Sequence, residues 1–260
     1  MKIAVFDSGI GGLTVLHQAI KRLPDEDYIF YADTAHVPYG EKSKEEVRSY
    51  VLEAAEFIAA QGVKALVVAC NTATSIAIED LREKYTFPVI GIEPAVKPAV
   101  QVSKKKRKKV LVLATELTLK EAKFHHLVEQ IDKEDIVDSL PLPRLVRFAE
   151  DFEFSAEKVI PYLKTAMAAL DLSEYGTVVL GCTHFPLFKD SIEKIFPANT
   201  DIIDGSVGTS KNLKRKLDQR HQIGSNGGGR IVFYRSGVEV TDPTLLTKYN
   251  HIFKRLDNLY

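Results

Sequence analysis

The 260-residue sequence contains two cysteines, Cys70 and Cys182, and both stand in the same kind of place. Each follows an apolar run and precedes a small polar cluster, in Val67-Val68-Ala69-Cys70-Asn71-Thr72 and in Val179-Leu180-Gly181-Cys182-Thr183. Short apolar runs of this kind read as buried strands, so both thiols are expected at strand tips. Beyond Cys70 the pattern turns helical through Ile76, Ile78 and Leu81. That places the thiol at a helix N-terminus, a setting that lowers its pKa and favours the thiolate. His184 stands two residues after Cys182, close enough to support proton transfer at that sulfur. Composition alone reads both cysteines as inert core residues. Without Cys-x-x-Cys spacing they make a poor zinc site, and in a reducing compartment no structural disulfide is expected. Their matching settings favour a working pair instead. Thiols on opposite walls of a cleft can serve opposite faces of one carbon, one removing a proton and the other delivering one. A cysteine hydrolase would use one thiol with a histidine and leave the second unexplained.

Asp7-Ser8-Gly9-Ile10-Gly11-Gly12 is the third candidate. It lies between a strand and a helical pattern, at the strand end where open α/β sheets bind ligands. Its glycines allow backbone N–H groups to approach an anion. The spacing matches neither a dinucleotide fingerprint nor a P-loop. A plain strand-to-helix turn capped by Ser8 explains the segment equally well.

The elements that must position these residues follow from periodicity. Strands are expected at Ile3–Phe6, Tyr28–Ala32, Ala65–Ala69, Val89–Ile92, Val110–Ala114, Thr177–Leu180 and Ile231–Tyr234. Ser43-Lys44-Glu45-Glu46 is a capping box that opens a helix through Val47, Val51, Ala54, Ala55 and Ile58, stopping at Gly62. A further helix should begin near Ser155 and align Val159, Leu163, Ala166 and Leu170. The plan repeats: Lys2–Asp7 resembles Lys109–Ala114, and each is followed by a cysteine-bearing strand end. The expectation is an α/β fold of two pseudo-symmetric lobes, each a mostly parallel sheet flanked by helices, with the active site at their interface. Residues 1–95 with 206–260 would form the N-terminal lobe and 96–205 the second lobe.

Hydrophobic residues make up 45% of the chain and charged residues 27%, which supports a sizeable core. The formal net charge is zero, so nothing global points to nucleic acid or to a membrane surface. No apolar run is long enough to span a bilayer, and Met1–Asp7 reads as a strand rather than a leader, so a cytoplasmic protein is expected. The basic run Lys104–Lys109 reads as a solvated loop leading into a strand, and Gly224–Gly229 as a mobile loop.

Four ordered motifs together resemble the glutamate racemases of the aspartate/glutamate racemase superfamily. They are Phe6–Gly12, Asp33-Thr34-Ala35-His36-Val37-Pro38-Tyr39-Gly40, Ala69–Ala73 and Leu180–Pro186. The resemblance implies that Cys70 and Cys182 are the catalytic acid/base residues, assisted by Asp7 and His184 respectively. It implies substrate contacts from Asp7, Ser8, Tyr39, Gly40, Asn71, Thr72, Thr183 and His184. Thr115 and Thr118 match a motif that holds a carboxylate, and Glu150 matches a glutamate near the site. It further implies no cofactor or metal, a homodimer, and a supply of D-glutamate for peptidoglycan. The chain departs from the family pattern at Arg147, where proline is usual, at Glu121, where serine is common, and at Ala95, where glycine is usual. Two other readings stand beside this one: a racemase for aspartate or another acidic amino acid, and a non-catalytic ligand-binding protein on the same fold.

Overall fold

Runs that are apolar at successive positions have both faces to bury, and they become the interior strands of two helix-covered sheets. The computed structural model describes residues 1–224 and 228–260. Strands β1 (Lys2–Asp7), β2 (Tyr28–Ala32), β3 (Val63–Val68) and β4 (Val89–Gly91) build the first sheet, and β5 (Lys109–Ala114), β6 (Val137–Pro141), β7 (Tyr175–Leu180) and β8 (Asp201–Asp204) the second. Strands β9 (Ile231–Arg235) and β10 (Val238–Glu239) return to the first sheet. Strand orders are β10-β9-β2-β1-β3-β4 and β6-β5-β7-β8, parallel throughout except for the β9–β10 hairpin. The unit β2-β1-β3-β4 therefore recurs as β6-β5-β7-β8. The likeness extends to register, because β1 and β5 each shift against their neighbour after the first residue.

The helices are α1 (Leu13–Arg22), α2 (Lys44–Ala60), α3 (Asn71–Lys84), α4 (Val96–Lys106), α5 (Glu116–Lys120), α6 (Ala122–Ile131), α7 (Pro143–Glu150), α8 (Ala156–Ala166), α9 (Lys189–Glu193), α10 (Ser206–Asp218) and α11 (Pro243–Leu259). Ser43 caps α2 through the expected box, with both reciprocal hydrogen bonds formed. One apolar cluster runs from Val5, Leu16 and Phe30 of the first lobe to Leu113, Leu180 and Phe185 of the second, so the lobes share a core.

All seven expected strands form, with ends shifted by at most two residues. Strands β6, β8 and β10 escaped the reading of the sequence. The first two lie at the edges of the second sheet and carry polar residues, as in Val137-Asp138-Ser139-Leu140-Pro141, none of them fully buried. The basic run is not a loop. Lys104–Lys106 form the last turn of α4, where cations suit the helix dipole, Arg107 caps it in the left-handed conformation, and Lys109 already belongs to β5. Lys104, Lys106 and Lys109 pair with Glu134, Asp201 and Glu174. Helix α8 buries Val159 and Leu163 as expected but ends before Leu170. The expected mobile loop at Gly224–Gly229 falls partly outside the described residues.

Candidate functional site

Both cysteines emerge two residues beyond a central strand, β3 or β7, and the two exits match atom for atom. Ala69 N–H donates to Phe6 O and Gly181 N–H to Leu113 O, each at 2.7 Å. Adjacent parallel strands thus deliver each thiol to the C-terminal edge of its sheet, where the two edges meet. Cys70 and Cys182 line one cavity together with Ser8, Pro38, Tyr39, Gly40, Asn71, Thr72, Thr115, Val146, Gly181, Thr183 and His184. Its volume is ≈ 10 Å³, about the room one water needs.

The two walls differ chemically. On one, Cys70 is the N-cap of α3 and accepts from Ala73 N–H at 3.5 Å, while its own S–H donates to Ser8 Oγ at 3.7 Å. The helix terminus is present as expected, but it does not lower the thiol pKa. Burial, reinforced by the Asp7 carboxylate, outweighs it and pushes Cys70 up to about 12. This wall presents a protonated thiol, a proton donor.

On the other, Cys182 Sγ lies 3.6 Å from His184 Nδ1, and His184 Nε2 lies 2.6 Å from Glu150 Oε1. Burial opposes charge on the imidazole, but the hydrogen bonds to Cys182 and Glu150 prevail and hold its pKa well above the usual histidine value. One wall thus carries a thiol held protonated, and the other a thiol beside a charged imidazole.

Asp7, at the end of β1, is fully buried behind the cavity lining. It accepts from Gly9 N–H and from Thr183 Oγ1, both at 3.1 Å, and burial raises its carboxyl to about 6 against the pull of His184. The glycine loop does hold an anion, as its composition allowed, but the anion comes from the chain itself. Ile10 N–H donates to Glu150 Oε1 at 2.8 Å. Glycine is required there by close approach: a Cβ on Gly9 would stand 1.9 Å from Glu150 Oε1, and one on Gly11 would stand 2.6 Å from His184 Nδ1. Ser8 does not cap α1; Gly12 occupies that position.

The remaining residues implied to touch a ligand also meet here. Asn71 is almost fully buried in the lining, and its side-chain carbonyl oxygen has no hydrogen-bond partner among the described residues. Thr72 Oγ1 lies 3.0 Å from both Thr115 and Thr118 Oγ1, and those two are 2.9 Å apart, a triangle of hydroxyls across the lobe boundary. Gly40 packs on Thr115, 2.7 Å from where its Cβ would stand. Tyr39 lines the cavity, but its hydroxyl donates to Asp33 Oδ2 at 2.6 Å. His36 binds the same carboxylate at 2.9 Å and stacks on Tyr50, so it supports the loop from outside. Two departures from the family pattern also find partners: Arg147 pairs with Glu41 and Glu121 with Lys44.

A two-lobed α/β fold that brings a thiol from each lobe to one small cavity defines a class of protein suited to acid–base work on a bound molecule. Comparison with known proteins agrees. Residues 12–207 match the family model described as Asp/Glu/Hydantoin racemase. The chain is 61% identical to glutamate racemase 2 of Bacillus subtilis (strain 168) over 257 residues, covering 99% of this chain and 97% of that one. Among solved structures, glutamate racemase of Francisella tularensis in complex with D-glutamate superposes with TM-score 0.82 at 29% identity, covering 97% of this chain and 93% of that one. Escherichia coli glutamate racemase in complex with L-glutamate and the activator UDP-MurNAc-ala also gives 0.82 at 29% identity, covering 95% of each chain. The chain belongs to the Asp/Glu/Hydantoin racemase family.

Proposed function

We propose that this chain interconverts L- and D-glutamate by proton transfer at Cα between Cys182 and Cys70. The observation that carries the reading is the pairing of two unlike thiol environments on one cavity, one beside an imidazolium and one held protonated by burial. In one direction the Cys182 sulfur removes the α-proton, and Cys70 delivers its own proton to the opposite face. In the other direction the roles exchange, and the incoming α-ammonium offsets the Asp7 carboxylate charge that adds to burial in keeping Cys70 protonated. His184 and Glu150 stabilise the Cys182 thiolate. Asp7 fixes Thr183 and tunes Cys70.

The unpartnered carbonyl oxygen of Asn71 is an acceptor for the α-ammonium. The hydroxyls of Thr72, Thr115 and Thr118 are donors for a carboxylate. Ser8, Tyr39, Gly40, Thr183 and His184 complete the contacts. We place the lobes at residues 1–95 with 206–260 and at 96–205. The proton transfers use side chains of the chain alone, so the reading calls for no pyridoxal phosphate or metal.

The identity to a glutamate racemase over nearly the full chain supports glutamate as substrate. The activator in the Escherichia coli structure supports a place for the product, D-glutamate, in peptidoglycan synthesis. A homodimer and a cytoplasmic setting come with the same reading; among the described residues no helix is long and apolar enough to cross a membrane. Circular dichroism of each enantiomer of glutamate and of aspartate, followed with purified protein, tests it. Inversion of glutamate and not of aspartate is the expected result, and inversion of neither overturns it.

A further inference from the structure

The cavity between the thiols holds about one water, so no amino acid enters without the lobes parting. The short segment Pro38–Glu41 of the first lobe lines the cavity through Pro38, Tyr39 and Gly40, packs on α5 of the second, and reaches α7 through Glu41. Two ion pairs stand at the C-terminal end of that segment. Glu41 receives a two-pronged contact from Arg147, with Nη2 at 2.7 and 2.9 Å from its two oxygens and Nε at 3.3 Å. Three residues further on, Lys44 Nζ lies 2.8 Å from Glu121 Oε2. Each pair joins the first lobe to the second. Arg147 is flanked by Val146, which lines the cavity, and shares its helix with Glu150, which holds His184.

We propose that Glu41–Arg147 and Lys44–Glu121 form a two-point ionic latch that sets how often the lobes part to admit and release substrate. The magnitudes suit a latch rather than a lock. Arg147 and Lys44 are more than half exposed, and an exposed pair shifts an equilibrium by about two- to fivefold. Two in series bias the site toward closure yet let it open on every turnover. Glu121 is nearly buried, so its pair is the stronger: an unpartnered carboxylate left there is costly.

The chain carries its own reporters, since its two cysteines both lie in this cavity. The test is the rate at which neutral iodoacetamide alkylates Cys70 and Cys182 at fixed pH, read by mass spectrometry. R147A and K44A should each speed alkylation about two- to fivefold, and the double variant by about the product. Added salt should speed it in the unmodified protein and not in the double variant. The reversed pair E41R/R147E should restore the slow rate that each single reversal loses. K158A, which breaks the exposed Lys158–Glu153 pair away from the cavity, should change nothing. Rates indifferent to salt and to R147A and K44A overturn the proposal, as does equal acceleration by K158A. Alkylation reads opening without turnover, so this idea and the proposed activity fail separately.

Discussion

His184 stands between an acid and a sulfur: its Nε2 is 2.6 Å from Glu150 Oε1 and its Nδ1 is 3.6 Å from Cys182 Sγ. The hydrogen bonds to Cys182 and to Glu150 keep this buried imidazole charged against the cost of burial. Glu150→Gln keeps an acceptor for Ile10 N–H but removes the charge. The His184 pKa then falls, and the positive charge is lost at lower pH than before. The expected result is a kcat about 10- to 100-fold lower, within the range for weakened acid–base help, with the alkaline limb of the pH–rate profile moved to lower pH. An unchanged profile would show that Glu150 only holds the loop.

Gly11→Ala tests the same wall by position rather than charge. The added methyl would sit 2.6 Å from both His184 Nδ1 and Thr183 Oγ1, so the histidine must move off its sulfur. Overpacking of this kind costs about 1–3 kcal/mol. The expectation is a folded protein with kcat reduced by at least about tenfold, since acid–base help depends on hydrogen-bond geometry. Urea unfolding and steady-state kinetics separate the two effects.

Asp7→Asn should stabilise the protein in a pH-dependent way. The Asp7 carboxyl rises from 3.8 to about 6 on folding, mainly because burial penalises its charge. The folded state therefore holds this proton more tightly than the unfolded chain. The stability that comes from it is full below about pH 4 and is lost as pH rises through about 6. Asparagine does not titrate. The stability of the variant relative to the parent should therefore grow between pH 4 and 7, by up to about 3 kcal/mol, then level off. Racemisation should fall, because the carboxylate no longer tunes Cys70. A stability difference that shrinks over that range contradicts the assignment.

The scaffold and the two thiols were legible in the sequence because each rests on a local signal. Fully covered strands such as β1, β3 and β7 contain unbroken apolar runs, and the cysteines stand two residues beyond the ends of the last two. Edge strands β6 and β8 carry a weaker version of that signal and were missed. Tertiary effects were not legible. The helix N-terminus at Cys70 was correctly placed, yet its influence on the thiol is overridden by burial and by Asp7, a residue 63 positions away that only folding brings near. The anion for the Gly9–Gly12 loop, Glu150, lies 140 residues from Ile10, and no spacing rule spans that distance. The ion pairs of Arg147 and Glu121 were invisible for the same reason; the sequence showed only that both residues depart from a family pattern.

The claim that two thiols work on opposite faces of one carbon is tested most directly by inversion of glutamate in D2O. With the unmodified protein, each molecule of inverted product should carry deuterium at Cα, because the returning proton comes from the opposite, solvent-exchanged thiol. Cys70→Ala and Cys182→Ala should each lose inversion of both enantiomers by at least about 10²-fold while far-ultraviolet circular dichroism shows the fold intact. Inverted product that keeps its original proton, or normal inversion in either variant, would contradict the account.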